Sequence, residues 1–459
     1  MHHRFEAIVI GAGQSGPALA ARFAGAGKKT ALIERGPLGG TCVNNGCIPT
    51  KTLVASARVA HMVRHAAAFG VEAGAAMRVD MSAVKARKDA VVNESIDGLQ
   101  AWLGGLPNLA LVRGQARFVA PNRLRVDDDE FEAPQIFVNV GARATVPDWP
   151  GIHEVPYLTN VSMMEVDFLP EHLVIVGGSY IGLEFAQMYR RFGSEVSVIE
   201  AAPRLITRED AEVSDAVRAV LERDGIAVHC DAKNLTMARD GAAVRVAFDT
   251  EGSARTVTGS HLLLAVGRRP NTDDLGLDAA GIELDARGYI VVDDELRTSA
   301  PGVWALGDAN GKGAFTHTSY NDYEIVAANL LDGGARRVSD RIGTYALYID
   351  PPLGRIGMSE AEVRASGRPA LVATLPMTRV GRARERGETA GFMKVLVDAG
   401  TQRILGAALL GIEADEVVQL LLLAMAAELP YTRIQRTMWI HPTVSELLPT
   451  LFERLKPLV

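Results

Sequence analysis

One segment of this 459-residue chain occurs twice, and that repetition constrains the fold more than any other feature. The first copy reads AIVIGAGQSGPALAARFAGAGKKTALIE and ends at Glu34; the second reads LVIVGGSYIGLEFAQMYRRFGSEVSVIE and ends at Glu200. Each opens with a β-branched apolar run, turns on glycines, continues as a helix and closes with a second β run ending in glutamate. Gly11 stands as far from Glu34 as Gly177 stands from Glu200. A GxGxxG pattern gains meaning only inside such a strand–turn–helix–strand unit. There its glycines serve a tight turn, close backbone approach to a pyrophosphate, and close helix packing. One pattern alone is weak. Two in the same context, equally spaced, predict two Rossmann-like dinucleotide-binding units in an α/β fold.

In the first copy Gly11, Gly13 and Gly16 complete the pattern. The helix after the turn aims backbone donors and its positive dipole end at a diphosphate. Glu34 is placed to accept from the adenosine ribose hydroxyls. The bland alternative is a glycine turn that binds nothing. The second copy reads Gly177, Ser179, Gly182, so a serine stands where the backbone meets the pyrophosphate. Its small side chain is either tolerated or donates to phosphate, and the site is expected to work. Glu200 suits a free ribose 2′-hydroxyl and repels a 2′-phosphate, while Arg204 nearby acts the other way. NADH is therefore the expected nucleotide, with NADPH as the alternative.

A helical region over about Met81 to Leu103 and the strand-like runs LALVRGQARFV, RLRV and QIFVNV separate the copies. Beyond the second copy come short strands, then GVWALGD, read as a strand ending in Gly307 and Asp308, and a last part of mixed strands and one apolar helix. The implied plan is a first nucleotide domain over 1–149 and 270–338, a second inserted at 150–269, and an α+β domain over 339–459. Hydrophobic residues at 48% and charged residues at 22% are ordinary for a globular enzyme. A net charge of −7 without a basic cluster argues against nucleic acid or an anionic membrane as partner. The apolar run VVQLLLLAMAA is shorter than the roughly 20 residues a bilayer requires, so a buried helix is expected there. FEAIVIGAG comes without a basic leader or cleavage site, which predicts a cytoplasmic protein. His2 and His3 are read as a disordered start, and no residue set has metal-ligand spacing.

Three cysteines in so long a chain exclude a disulfide framework. Two of them, Cys42 and Cys47, stand with four residues between them in GGTCVNNGCIPTKTLVASARVAHMV, and the stretch beyond Pro49 reads as a helix. Proline suits the first turn of a helix, and the dipole there favours thiolate over thiol. Lys51, one turn beyond Cys47, adds positive charge on the same face. These are the needs of a reversible dithiol/disulfide couple, an attacking thiolate and a resolving partner. Two structural cysteines, or half of a zinc site, are the alternatives; zinc wants two further ligands in compatible spacing. Cys230, isolated in GIAVHCD, is expected to be inert.

With those residues in view, the chain resembles the pyridine nucleotide-disulfide oxidoreductases, the group of dihydrolipoamide dehydrogenase, glutathione reductase and mercuric reductase. GAGQSG, GGTCVNNGCIPTK, GGSYIGLE, AVGRRPNT, ALGDAN and HPTVSE occur in the family's order and cover essentially the whole chain. The resemblance implies an FAD domain, an inserted NAD(P)H domain and a C-terminal interface domain, assembled as a homodimer. It makes Cys42 the interchange thiol that meets the substrate and Cys47 the thiolate in charge-transfer contact with the flavin. Lys51 and Glu184 match the ion pair beside the flavin, for which a surface salt bridge is the bland alternative. Tyr180 matches an aromatic gate over the flavin, or else a packing residue. Gly40, Thr41, Gly141, Gly307 and Asp308 match FAD-binding positions, and Gly267 joins the second fingerprint on the NAD(P)H side. His441 and Glu446 match a histidine, oriented by a glutamate, that shuttles a proton with the substrate thiol across the dimer interface.

The electron acceptor is less constrained. GGTCVNNGCIPTKTLV and GQSGPALA most resemble mercuric-reductase-like proteins and related copper reductases, and thiolates capture soft Hg(II) or Cu ions. The chain ends FERLKPLV without the C-terminal cysteine pair of mercuric reductases, and has no N-terminal metal-binding domain. His441 and Glu446 favour instead a thiol–disulfide enzyme such as dihydrolipoamide dehydrogenase. Glutathione reduction is disfavoured by Glu200 and by the lack of an arginine cluster. A non-enzymatic flavoprotein, a subunit or redox-responsive partner, is the third reading.

Overall fold

The computed structural model describes residues 1–72 and 77–458. Strand Ala7–Ile10 is buried at every position and forms the centre of a five-stranded parallel sheet. Its neighbours are Thr30–Glu34 and Gln135–Val138, with Leu109–Arg113 and Val303–Ala305 at the edges. A continuous apolar run suits such a strand, because a parallel sheet is covered on both faces. Val303–Ala305 closes this sheet from far along the chain, so the second repeat is an insertion into the unit that the first begins.

The second repeat builds its own parallel sheet, ordered Ala227–His229, Glu195–Ile199, His172–Val176, His261–Leu264. An antiparallel meander, Lys233–Asp240, Ala243–Thr250 and Ser253–Gly259, accompanies it. Beyond residue 340 the character changes to a six-stranded antiparallel sheet. Helix Ala414–Ala426 packs against its strands Leu353–Gly357 and Ile404–Leu410. The molecule is thus α/β with two Rossmann-like units and a C-terminal α+β unit.

Three local expectations need correction. His2–Arg4 is no disordered start: it pairs in parallel with Asp129–Glu132, and the His3 ring stacks on Phe131 at 5.0 Å. The strand in GVWALGD ends at Ala305, and Gly307–Asn310 form a 3₁₀ turn instead. Gly40–Asn45, which carries Cys42, is a short helix ahead of the expected one. Among the described residues no helix is long and apolar enough to cross a membrane.

Candidate functional site

The first glycine turn is fixed by steric necessity. Gly11 has φ +100°, and a Cβ there would strike the carbonyl oxygen of Asn139; one at Gly16 would strike the carbonyl of Gly11. Only glycine permits this approach. Glu34 braces the turn, its Oε2 accepting from the Ala12 N–H and its Oε1 from the Gly36 N–H, each at 2.7 Å. Gly40 closes in from above: a Cβ on it would lie 2.7 Å from Gly13 Cα. Gly11, Gly13, Glu34 and Gly40, though not Gly16, line a cavity of about 970 Å³, together with Thr41, Cys42, Cys47, Lys51, Gly141, Gly267 and Asp308. Gly307 lies just outside the lining, and its N–H donates to Asp322 at 2.7 Å.

The same cavity holds an orphaned donor. Arg268 Nε is buried without a hydrogen-bond partner, 3.5 Å from Asp308. Burial pushes the Asp308 carboxyl up, and Arg268 opposes that shift. A glycine cradle, a braced turn, a buried orphan donor and a long cavity together fit FAD.

The second turn repeats the steric contacts and the glutamate brace of the first. Gly177, at φ +116°, backs onto the Ala265 carbonyl, and Gly182 onto the carbonyl of Gly177. Glu200 accepts from the Gly178 N–H and, at 2.7 Å, from the Ala202 N–H. Ser179 has φ −115° and ψ −171°, extended backbone that any residue adopts, so its side chain causes no strain. It precedes helix Tyr180–Phe192 and lines the cavity, whereas Gly177, Gly182 and Glu200 lie outside it. Arg204 beside them is exposed.

The cysteines sit where the two units meet. Gly46 separates the helices Gly40–Asn45 and Cys47–Arg64, and a Cβ on it would lie 2.7 Å from the Thr41 carbonyl oxygen. Cys47 therefore opens a helix of 18 residues, with Pro49 in the first turn. Its Sγ lies 3.0 Å from Thr316 Oγ1, the first residue of helix Thr316–Leu331. Both cysteines are free thiols, and they are not equivalent. The hydrogen bond from Cys42, helped by Thr316 and Lys51, brings Cys47 down to about 6 against its burial. The same bond, with burial, pushes Cys42 up. Of the two sulfurs, Cys47 is thus the one favoured to carry a negative charge.

Lys51 Nζ lies 2.7 Å from Glu184 Oε2, and Glu184 Oε1 accepts from the Tyr348 N–H at 3.0 Å. The Glu184 side chain is only 6% exposed, so this is no surface salt bridge. Tyr180 also lines the cavity, edge-on to Phe315 at 5.4 Å. His441 and Glu446 do meet, with Nδ1 2.8 Å from Oε2, but neither lines the cavity of their own chain. The imidazole is 79% exposed, flanked by Met438 and Ile440, which are 96% and 79% exposed. Among the described residues no group of three or more His, Cys, Asp or Glu could hold a metal ion.

Four residues at the site escaped the sequence reading. Asn139 donates from Nδ2 to the Gly11 carbonyl at 3.2 Å, and Arg268 donates to Thr41 Oγ1 at 3.3 Å. Thr316 touches Cys47, and Asp322 holds the Gly307 turn while also accepting from Asn310 at 2.9 Å. Arg268 alone carried a signal, lying in AVGRRPNT. The others meet the site only through packing of distant segments.

Comparison with known proteins agrees with this geometry. Residues 5–322 match the family described as pyridine nucleotide-disulphide oxidoreductase, and residues 344–452 match that family's dimerisation domain. The chain is 37% identical to the probable pyridine nucleotide-disulfide oxidoreductase RclA of Escherichia coli, over 99% of this chain and 100% of that protein. A solved Cu(II) complex of RclA, described as an HOCl-induced flavoprotein disulfide reductase, superposes with a TM-score of 0.89. It is 36% identical over 98% of this chain and 99% of that one. A dihydrolipoyl dehydrogenase of Thermus scotoductus is 33% identical, over 98% of this chain and 97% of that protein. A mercuric reductase of Streptomyces lividans is 32% identical, over 97% and 95%.

Proposed function

This chain belongs to the pyridine nucleotide-disulphide oxidoreductases, enzymes that use FAD and NAD(P)H, and from that premise we propose an NADH-dependent reductase whose Cys42–Cys47 pair delivers electrons to a metal ion, Hg(II) or Cu(II), or to an oxidative-stress substrate. The observation that carries this reading is the placement of both sulfurs on the wall of the glycine-lined cavity, with Cys47 opening its helix against Thr316 and near the Lys51–Glu184 pair. Gly11, Gly13, Gly16, Glu34, Gly40, Thr41, Gly141, Gly307 and Asp308 would hold the FAD, which supplies when bound a two-electron relay between nicotinamide and disulfide. Gly177, Ser179, Gly182, Glu200 and Gly267 would hold the nucleotide. Glu200, fixed at its strand end by two backbone donors, favours NADH because a 2′-phosphate would face its charge.

Two electrons break the Cys42–Cys47 bond, leaving the charge on Cys47 and a proton on Cys42. Lys51 stays by Cys47 and balances that charge, with Glu184 holding the ammonium in place. Delivery of two electrons to one Hg(II), or to two Cu(II), re-forms the disulfide and releases the thiol proton. The Cu(II) complex solved for the Escherichia coli relative and the mercuric reductase match support a soft metal acceptor.

The hydrogen-bonded His441–Glu446 pair favours a second reading, a thiol–disulfide reductase of the dihydrolipoamide dehydrogenase kind. In that case a second copy of this chain covers Met438 and Ile440 and brings its imidazole to the Cys42 side of the cavity. NADH oxidation measured against Cu(II), Hg(II), lipoamide and oxidised glutathione separates the two. Turnover with a metal ion and none with either disulfide is expected; the reverse overturns the metal reading.

A further inference from the structure

The electron path leaves unused a buried charge cluster that adjoins Tyr180. Glu209 is fully buried, with Arg355 3.4 Å away, their side chains 1% and 4% exposed. Asp210 and Lys394 extend the cluster at 3.8 and 3.4 Å. Tyr345 donates its hydroxyl hydrogen bond to Glu209. Tyr345 and Arg355 stand directly opposite each other on the strands Thr344–Leu347 and Leu353–Gly357, so both reach Glu209 from one face of the sheet. On its other side the Tyr345 ring stacks on Phe315 at 5.7 Å and 8°. Tyr180 lies edge-on to both rings, 5.6 Å from Tyr345 at 73°. Arg208, next to Glu209, flanks the Tyr180 hydroxyl and lines the cavity.

We propose that Tyr345 is a positioning residue for nucleotide entry: held by Glu209 and stacked on Phe315, it is the seat on which Tyr180 closes, and it sets how often the nicotinamide pocket stands open. This deepens the reading of Tyr180 as a gate and rests on it. A phenol bonded to a buried carboxylate that is itself paired with arginine cannot turn freely, so Tyr180 meets a fixed ring edge. Weakening the seat raises the open fraction, and apparent nucleotide affinity tracks that fraction. An edge-to-face pair is strong enough to change it about three- to tenfold.

The FAD-loaded enzyme tests this by steady-state kinetics and by iodide quenching of FAD fluorescence, which reads exposure without turnover. In Tyr345→Leu the KM for NADH should fall about three- to tenfold, by more than kcat changes, and quenching should rise. Tyr345→Phe keeps the ring and loses the bond to Glu209; it should move both readouts the same way by a smaller factor. Glu209→Gln still accepts the Tyr345 hydrogen bond and should stay nearer the parent than Tyr345→Phe does. Parental KM and quenching in Tyr345→Leu would overturn the proposal, as would a Tyr345→Phe enzyme indistinguishable from the parent. Tyr180→Ala, measured in parallel, separates the two layers. If it leaves quenching unchanged, the gate reading fails and the seat with it; if it raises quenching while the Tyr345 variants do not, the seat alone fails.

Discussion

The two glycine turns share a glutamate brace, yet helices close over the first while Ser179 of the second is exposed. In each, a left-handed glycine backs onto the end of a neighbouring strand, at Asn139 or at Ala265, and a glutamate braces the turn through two backbone N–H groups. The difference lies in what the chain adds. Gly40 and the two cysteine-bearing helices close over the first turn, so tightly that Gly13 and Gly40 nearly touch. Ser179 stands at the matching place in the second and obstructs nothing, because its backbone is extended. The middle glycine therefore marks where the protein closes over its own backbone.

The harshest way to break this comparison is to place a methyl under the roof. Gly40→Ala would set its Cβ 2.7 Å from Gly13 Cα at a φ of +58°. Purified protein should carry less than about a tenth of the FAD of the parent, read as the ratio of flavin to protein absorbance. Parental flavin content would show that the roof does not hold the cofactor. Next in size is the acidic strand end of the second site. Glu200→Ala should narrow the preference for NADH over NADPH about tenfold, seen in kcat/KM, with flavin content unchanged; an unaltered ratio would remove Glu200 from nucleotide choice. Ser179→Gly should change the KM for NADH by less than about threefold, since the serine is unstrained. A larger shift would mean that its hydroxyl binds phosphate.

The smallest effect concerns the seam between the sites. Cys47 keeps its charge above about pH 6 and takes up a proton as the pH falls through that value. Its long-wavelength absorbance against the flavin in reduced enzyme should fade over the same range. Thr316→Val removes one hydrogen bond to the sulfur and should move that midpoint upward by about one pH unit or less. A midpoint that stays in place would leave the lowering of Cys47 to Cys42 and Lys51 alone.

Much of this was legible in sequence because it is local. Gly16 and Gly182, the terminal glutamates and the cysteines with their helix each owe their form to neighbours within a few dozen residues, and the repeat itself shows that one unit occurs twice. What stayed hidden depends on distant segments. Thr316 reaches Cys47 only because the edge strand Val303–Ala305 joins the first sheet. Tyr345 meets Tyr180 only because an antiparallel strand of the C-terminal sheet runs past the second unit. The start of the chain was misread because a lone edge strand has no periodicity of its own and draws its order from Asp129–Glu132.

Anaerobic reduction of the FAD-loaded enzyme by one equivalent of NADH tests the whole path at once, from the second site across the first to the sulfur that keeps the charge. Long-wavelength thiolate–flavin absorbance should develop in the parent on reduction, be present in Cys42→Ser before any NADH is added, because that variant has no disulfide to open, and be absent from Cys47→Ser before NADH is added. Such absorbance in the Cys47→Ser enzyme before NADH is added, or its absence from the Cys42→Ser enzyme at that stage with flavin content intact, would contradict the assignment of the charge to Cys47.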